Sequence, residues 1–251
     1  MRAARCTALI PYVTAGYPSR AATVDALGML ESEGADFIEV GIPFSDPLAD
    51  GPVIQHSTHE ALRAGMTVAG TLEIVREAKL GIPTIAFSYL NPILAYGVER
   101  FLDDAEAAGF SGILLTDLPA GADREIEATM QASALDLIRL VAVTTGPARL
   151  KRIATNATGF LYLIARLGVT GAPTEVTGAL EQMVARLHEE SDLPVAVGFG
   201  IGTGEQAKRV AGFADGVVVG SALVERLGND PPAARQLMRE LREALHSAPV
   251  A

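Results

Sequence analysis

The feature that most constrains this chain is an alternation. Short apolar, β-branched runs at 8–13, 37–41, 84–88, 112–117, 136–143, 159–164, 194–198 and 216–220 are separated by amphipathic stretches with helical periodicity at 19–33, 68–79, 98–108, 123–133, 147–156, 177–191, 204–211 and 231–247. Each run is strand-length and apolar on both faces, as a strand covered on both sides must be. Such strands, separated by helices, pair in parallel. Eight repeats in 251 residues fill one closed (β/α)8 barrel, a TIM barrel, as a single domain over residues 1–251. An open doubly wound sheet usually has fewer strands. Two pieces break the repeat: a helical pattern at 54–64 behind the Pro/Gly/Asp-rich loop 42–51, and a short helix at 221–228 behind the last strand. Barrels place their chemistry at the C-terminal ends of their strands, and a short extra helix after the eighth is a recurrent phosphate-binding device.

Charge and composition narrow the partners. Acidic residues outnumber basic ones 30 to 20, a formal net charge of −10 and the wrong sign for tracking nucleic acid or an anionic membrane. An anionic substrate must therefore be held by local backbone N–H groups, which directs attention to glycine-rich turns. The one cysteine, Cys6, has no partner for an intramolecular disulfide. No apolar run approaches the ~20 residues of a membrane span, and no charged-then-apolar leader opens the sequence, so the expected location is the cytoplasm.

The expected barrel mouth holds Glu39, Asp46, Asp50, Asn91, Asp117, Tyr162, Arg166 and Thr170, with no lysine or histidine among them. Lys79, Lys151 and Lys208 fall on helical stretches, which leaves no candidate for a Schiff-base nucleophile. His56 and His59 form an i, i+3 pair on the extra helix without a third metal ligand, and read as a solvated face. Carboxylates remain. Glu39 lies among Phe37, Ile38, Val40 and Gly41 in a central strand; burial would raise its pKa and suit it to give and take protons near neutrality. The alternative is a structural glutamate paired with an arginine elsewhere in the barrel. Asp50, in the following loop, is either a second carboxylate over the same mouth or a turn former, and Asp46 carries the same ambiguity. Glycine-bearing turns after strands six, seven and eight, at 168–171, 198–202 and 220–221, together make a candidate phosphate cup, with Ser221 opening the short helix.

These residues match a known pattern. The segment EVGIPFSDPLADGPVIQ at 39–55 resembles the signature of the tryptophan synthase alpha subunit family. Supporting matches are LIPYVTAGYP at 9–18, NPILAYG at 91–97, DLP at 117–119, GVTG at 168–171, GFGI at 198–201 and GSA at 220–222, so the resemblance runs over nearly the whole chain. It implies cleavage of indole-3-glycerol phosphate to indole and glyceraldehyde 3-phosphate, a retro-aldol reaction that needs neither cofactor nor metal. By the same resemblance Glu39 is the general acid–base, Asp50 holds the indole N–H, and Tyr162 stands near the reacting centre. Gly171, Gly200, Gly220 and Ser221 would bind the phosphate, and Tyr12, Phe87, Tyr89 and Thr170 would line the indole pocket or its closing loop.

The family's alpha subunit docks on a pyridoxal-phosphate beta subunit, and Pro43, Asp46 and Pro119 match positions implied in that interface. Ala165 and Leu167 depart from the polar residues usual beside the closing loop. Two alternatives therefore stand beside the alpha-subunit reading: a stand-alone lyase that releases free indole, and a weakly catalytic activator subunit of a partner enzyme.

Overall fold

A computed structural model describes residues 7–164, 173–198 and 200–247. Its centre is a closed barrel of eight parallel strands in sequence order: β1 (Ala8–Thr14), β2 (Ile38–Gly41), β3 (Thr84–Ser88), β4 (Phe110–Leu115), β5 (Asp136–Ala142), β6 (Leu161–Ile164), β7 (Val195–Gly198) and β8 (Gly216–Val219). The ring closes where β1 pairs with β8, Ala8 opposite Gly216 and Pro11 opposite Val219. Around it run α1 (Arg20–Ser32), α2 (Pro52–Arg63), α3 (Val68–Ala78), α4 (Leu90–Tyr96), α5 (Val98–Ala108), α6 (Arg124–Gln131), α7 (Pro147–Thr155), α8 (Pro173–Glu190), α9 (Gly204–Ala211), α10 (Ser221–Asn229) and α11 (Pro231–His246).

Strand pleating sorts the apolar residues into two cores. Ile10, Ile85, Leu114, Ile138, Phe160, Ala196 and Val218 fill the barrel, while their strand neighbours, among them Leu9, Ile38, Val40, Ile113, Leu137, Leu161 and Val217, face the helices. Side chains alternate along a strand, so this parity fixes Glu39: Ile38 and Val40 point out, and Glu39 points in, level with Tyr12 of β1.

Several expected boundaries shift: β4 begins at Phe110 rather than 112, β6 at Leu161 rather than 159, α2 at Pro52 rather than 54, and α8 at Pro173 rather than 177. One helix was not expected. Pro92 lies in the first turn of α4, where a proline removes only an N–H that has no intrahelical acceptor. Among the described residues no helix is long and apolar enough to cross a membrane.

Candidate active site

The C-terminal mouth of the barrel opens into a cavity of about 470 Å³. Tyr12, Glu39, Asp50, Phe87 and Tyr162 line one part of it; Gly200, Gly220 and Ser221 line another. Eight residues singled out from the sequence are thus brought around one chamber. Thr170 and Gly171 lie outside the described residues, as do Cys6, Ala165, Arg166 and Leu167.

Glu39 has no solvent exposure and neither carboxylate oxygen has a hydrogen-bond partner in the structure. A buried arginine does exist, Arg139 on β5, but it pairs with Glu127 of α6 at 2.5 Å on the outer side of the wall. Among the described residues the structural alternative for Glu39 therefore finds no arginine partner. Burial alone pushes the Glu39 pKa up to about 8, because the charged form loses its hydration without compensation. Near neutrality the group holds its proton and can also release it.

Asp50 is set differently. It sits in the loop ahead of α2, half-buried, and accepts a hydrogen bond at 3.1 Å from the Tyr89 hydroxyl, which in turn accepts one from the Ala49 N–H at 2.9 Å. Burial raises the Asp50 pKa to about 6 against the lowering effect of the Tyr89 bond, so the carboxylate is largely ionised at pH 7. Tyr89 stands behind Asp50 and not in the cavity wall.

Two tyrosines shape the chamber by the same device. Tyr12 lies opposite Glu39 in the β1–β2 register and its ring packs edge-on to Phe87 at 5.3 Å; its hydroxyl rests on Gly41, two residues further along β2. Tyr162 lies opposite Ala196, and its hydroxyl rests on Gly198, again two residues on. A side-chain carbon at either glycine would overlap the phenol oxygen. Burial, the largest cause, raises both phenol pKa values, with Asp50 and Glu39 among the further causes, so both hydroxyls stay protonated.

Opposite the carboxylates, α10 begins at Ser221 with no side-chain cap, which leaves first-turn N–H groups for a ligand. Gly200 has φ +48, a left-handed conformation that glycine adopts without strain. Among the lining residues not singled out from the sequence is one further carboxylate, Glu225, four residues after Ser221 on α10, whose helical spacing from Ser221 is the available signal.

The remaining candidates lie outside the chamber. Pro43 is buried, whereas Asp46 and Pro119 are exposed. A second cavity of about 550 Å³ is lined by Phe44, Asp46, Leu48, Gln55, His56 and His59. Among the described residues no group of His, Cys, Asp and Glu could hold a metal, and no lysine lines the main chamber.

The mouth of this parallel eight-stranded barrel thus sets a glutamate with a raised pKa and a half-buried aspartate around one chamber, the layout of a barrel enzyme. The comparisons specify which. The family model for the tryptophan synthase alpha chain matches residues 1–249. The tryptophan synthase alpha chain of Synechocystis is 47% identical over 95% of this chain and 93% of its own length, and that of Gloeobacter violaceus is 44% identical over 100% and 94%. Among solved structures, Mycobacterium tuberculosis tryptophan synthase superposes with a TM-score of 0.89 at 40% identity, covering 97% of this chain and 94% of that one. The tryptophan synthase alpha subunit of Legionella pneumophila gives 0.89 at 37% identity, covering 98% and 95%. The chain belongs to the tryptophan synthase alpha chain family.

Proposed function

We infer that this protein is a carbon–carbon lyase that cleaves indole-3-glycerol phosphate to indole and glyceraldehyde 3-phosphate. The observation that carries the reading is Glu39: a fully buried carboxylic acid with two unpartnered oxygens, facing a substrate-sized chamber. Such a group costs stability wherever it ionises, and acids shifted in this way cluster at functional sites.

The chain's own residues divide the work. Glu39, protonated at rest, donates its proton to indole C3; its carboxylate takes the proton of the glyceryl hydroxyl as that carbon becomes an aldehyde and the C–C bond breaks. The pair leaves Glu39 protonated again, so the step balances without a co-reactant. Asp50 accepts the indole N–H and stabilises positive charge spreading into the ring in the transition state. Tyr12, Phe87 and Tyr162 enclose the ring, and the phosphate rests at the N-terminus of α10 with Ser221, Gly220 and Gly200. Gly171 and Thr170 complete the phosphate site and the closing loop in this reading.

The partner is a tryptophan synthase beta subunit. Asp46 and Pro119 offer surface for it, and two exposed leucines stand on the same end of the barrel: Leu48 at 86% exposure in the loop after β2 and Leu94 at 47% on α4. The test is steady-state cleavage of indole-3-glycerol phosphate by the purified chain, alone and with a beta subunit added. Weak turnover that rises many-fold on addition is the expected result. Strong turnover indifferent to the partner would replace this reading with the stand-alone lyase, and no turnover in either case would leave only an activator role.

A further inference from the structure

Asp117, in the loop after β4, has no place in the chemistry above and does not line the chamber. It nevertheless makes one short bond: its Oδ1 accepts the backbone N–H of Leu90 at 2.7 Å, across from another loop. Leu90 is the first residue of α4, whose own N-cap residue, Tyr89, offers no side-chain cap. The cap of this seven-residue helix therefore comes from a neighbouring loop. Tyr89, the residue just before the capped turn, is the one that grips the Asp50 loop through its hydroxyl, with bonds to Asp50 Oδ2 and from Ala49 N.

The loop that supplies the cap is itself held fast. On one side the Thr116 N–H donates to the Ser88 carbonyl at 3.0 Å. On the other, Arg139 donates to the Leu118 carbonyl at 3.1 Å while Glu127 accepts the Gly121 N–H at 2.7 Å. Arg139 and Glu127 are both buried and paired with each other, so the loop is tied to β5 and α6. Asp117 stands between these anchors as a fixed point.

We propose that Asp117 is a positioning residue for the cleavage site: by capping α4 from the adjacent loop it holds Tyr89, and through Tyr89 it holds the Asp50 carboxylate over the barrel mouth. This rests on the reading of Asp50 as the group that receives the indole N–H. Among the described residues, the titratable groups around Asp50 are Tyr12 from β1, Glu39 from β2, Tyr89 from the start of α4, Tyr162 from β6 and Glu225 from α10. Of these, only Tyr89 has a direct hydrogen bond to it among the described residues. That bond favours the ionised form, so loosening it raises the pH at which Asp50 takes up a proton.

The experiment follows the Asp50 carboxyl by NMR titration in the full-length carboxyl-labelled protein and, in parallel, the acidic limb of the kcat/KM profile. Tyr89→Phe, Asp117→Ala, their double variant and Asp117→Asn are compared with the parent, with thermal unfolding to confirm folding. Tyr89→Phe should move both midpoints upward by about half a unit to one unit. Asp117→Ala should move them in the same direction although it touches nothing in the chamber, and the double variant should move them no further than Tyr89→Phe alone. Asp117→Asn, whose amide oxygen still accepts the Leu90 N–H, should restore most of the effect. An Asp50 midpoint that stays at its parental value in Asp117→Ala while Tyr89→Phe shifts it overturns the proposal, as does a strictly additive double variant. A shifted Asp50 midpoint with an unmoved kcat/KM limb upholds the positioning and overturns instead the role assigned to Asp50.

Discussion

Two of the described glutamates are buried in this barrel, on opposite sides of its wall, and they live by opposite rules. Glu127 faces the outer surface of the wall from α6, with Arg139 at 2.5 Å and the Gly121 N–H at 2.7 Å to satisfy it. Glu39 faces inward from β2 with no hydrogen-bond partner among the described residues, and burial raises its pKa to about 8. Burial is common to both, so burial does not mark a functional group. The absence of a partner does, because an unpaired acid in an apolar chamber retains a proton that it can deliver.

The sharpest way to break this contrast is to neutralise each group in turn. Glu39→Gln keeps shape and removes the proton carrier, and kcat for cleavage should fall by about 10³-fold or more with the circular-dichroism spectrum unchanged. Near-normal turnover would move the acid–base role elsewhere. Glu127→Ala leaves Arg139 buried without its partner and should lower unfolding stability by about 3–5 kcal/mol in denaturant titrations. Replacing both members by methionine should recover most of that loss; a double variant as unstable as the single would show that the pair stabilises through more than charge compensation.

The next effect is smaller and has a sign. The folded-state pKa of Glu39 lies above its unfolded value, so the native state holds the extra proton between the usual glutamate range and about 8. Stability contributed by that proton is fully present at low pH and is lost as pH rises through about 8. Glu39→Gln should therefore be more stable than the parent at pH 9, by about 2–4 kcal/mol, with the difference closing toward pH 4. Equal stability across that range would mean that Glu39 ionises freely. The smallest change is at the phosphate end, where Ser221→Ala removes one hydroxyl beside a helix terminus that keeps its N–H groups. KM should rise about five-fold with kcat nearly constant, since one hydrogen bond is worth about 1 kcal/mol.

Much of the contrast was legible before any coordinates. The run of apolar neighbours around Glu39 and the period-2 pleat together place its side chain inside, and the strand count places it at the mouth. Glu127 was not legible: it lies in an amphipathic stretch that reads as solvent-facing, and its partner Arg139 sits in a strand where sequence shows no second layer. Helix α4 was hidden for a local reason, since Asn91-Pro92 is a turn signal wherever the following residues do not continue the helix. Tyr89 is assigned to the pocket or its loop by the family resemblance alone; its position behind Asp50 depends on how the Asp50 loop folds back, a long-range fact. Pro43, expected at a partner surface, is covered by its own chain.

The paired contacts of Tyr12 with Gly41 and of Tyr162 with Gly198 have a consequence for how such a chamber could change its tastes. In each case the width of the room is governed by a residue on the next strand that gives way to the phenol. A bulkier residue there would swing the ring inward and exclude large indoles, while a trimmed tyrosine would admit them with the glycine untouched. Substrate size in this barrel is thus a property of neighbouring strands taken in pairs, and a search for altered specificity should vary the two members of each pair together.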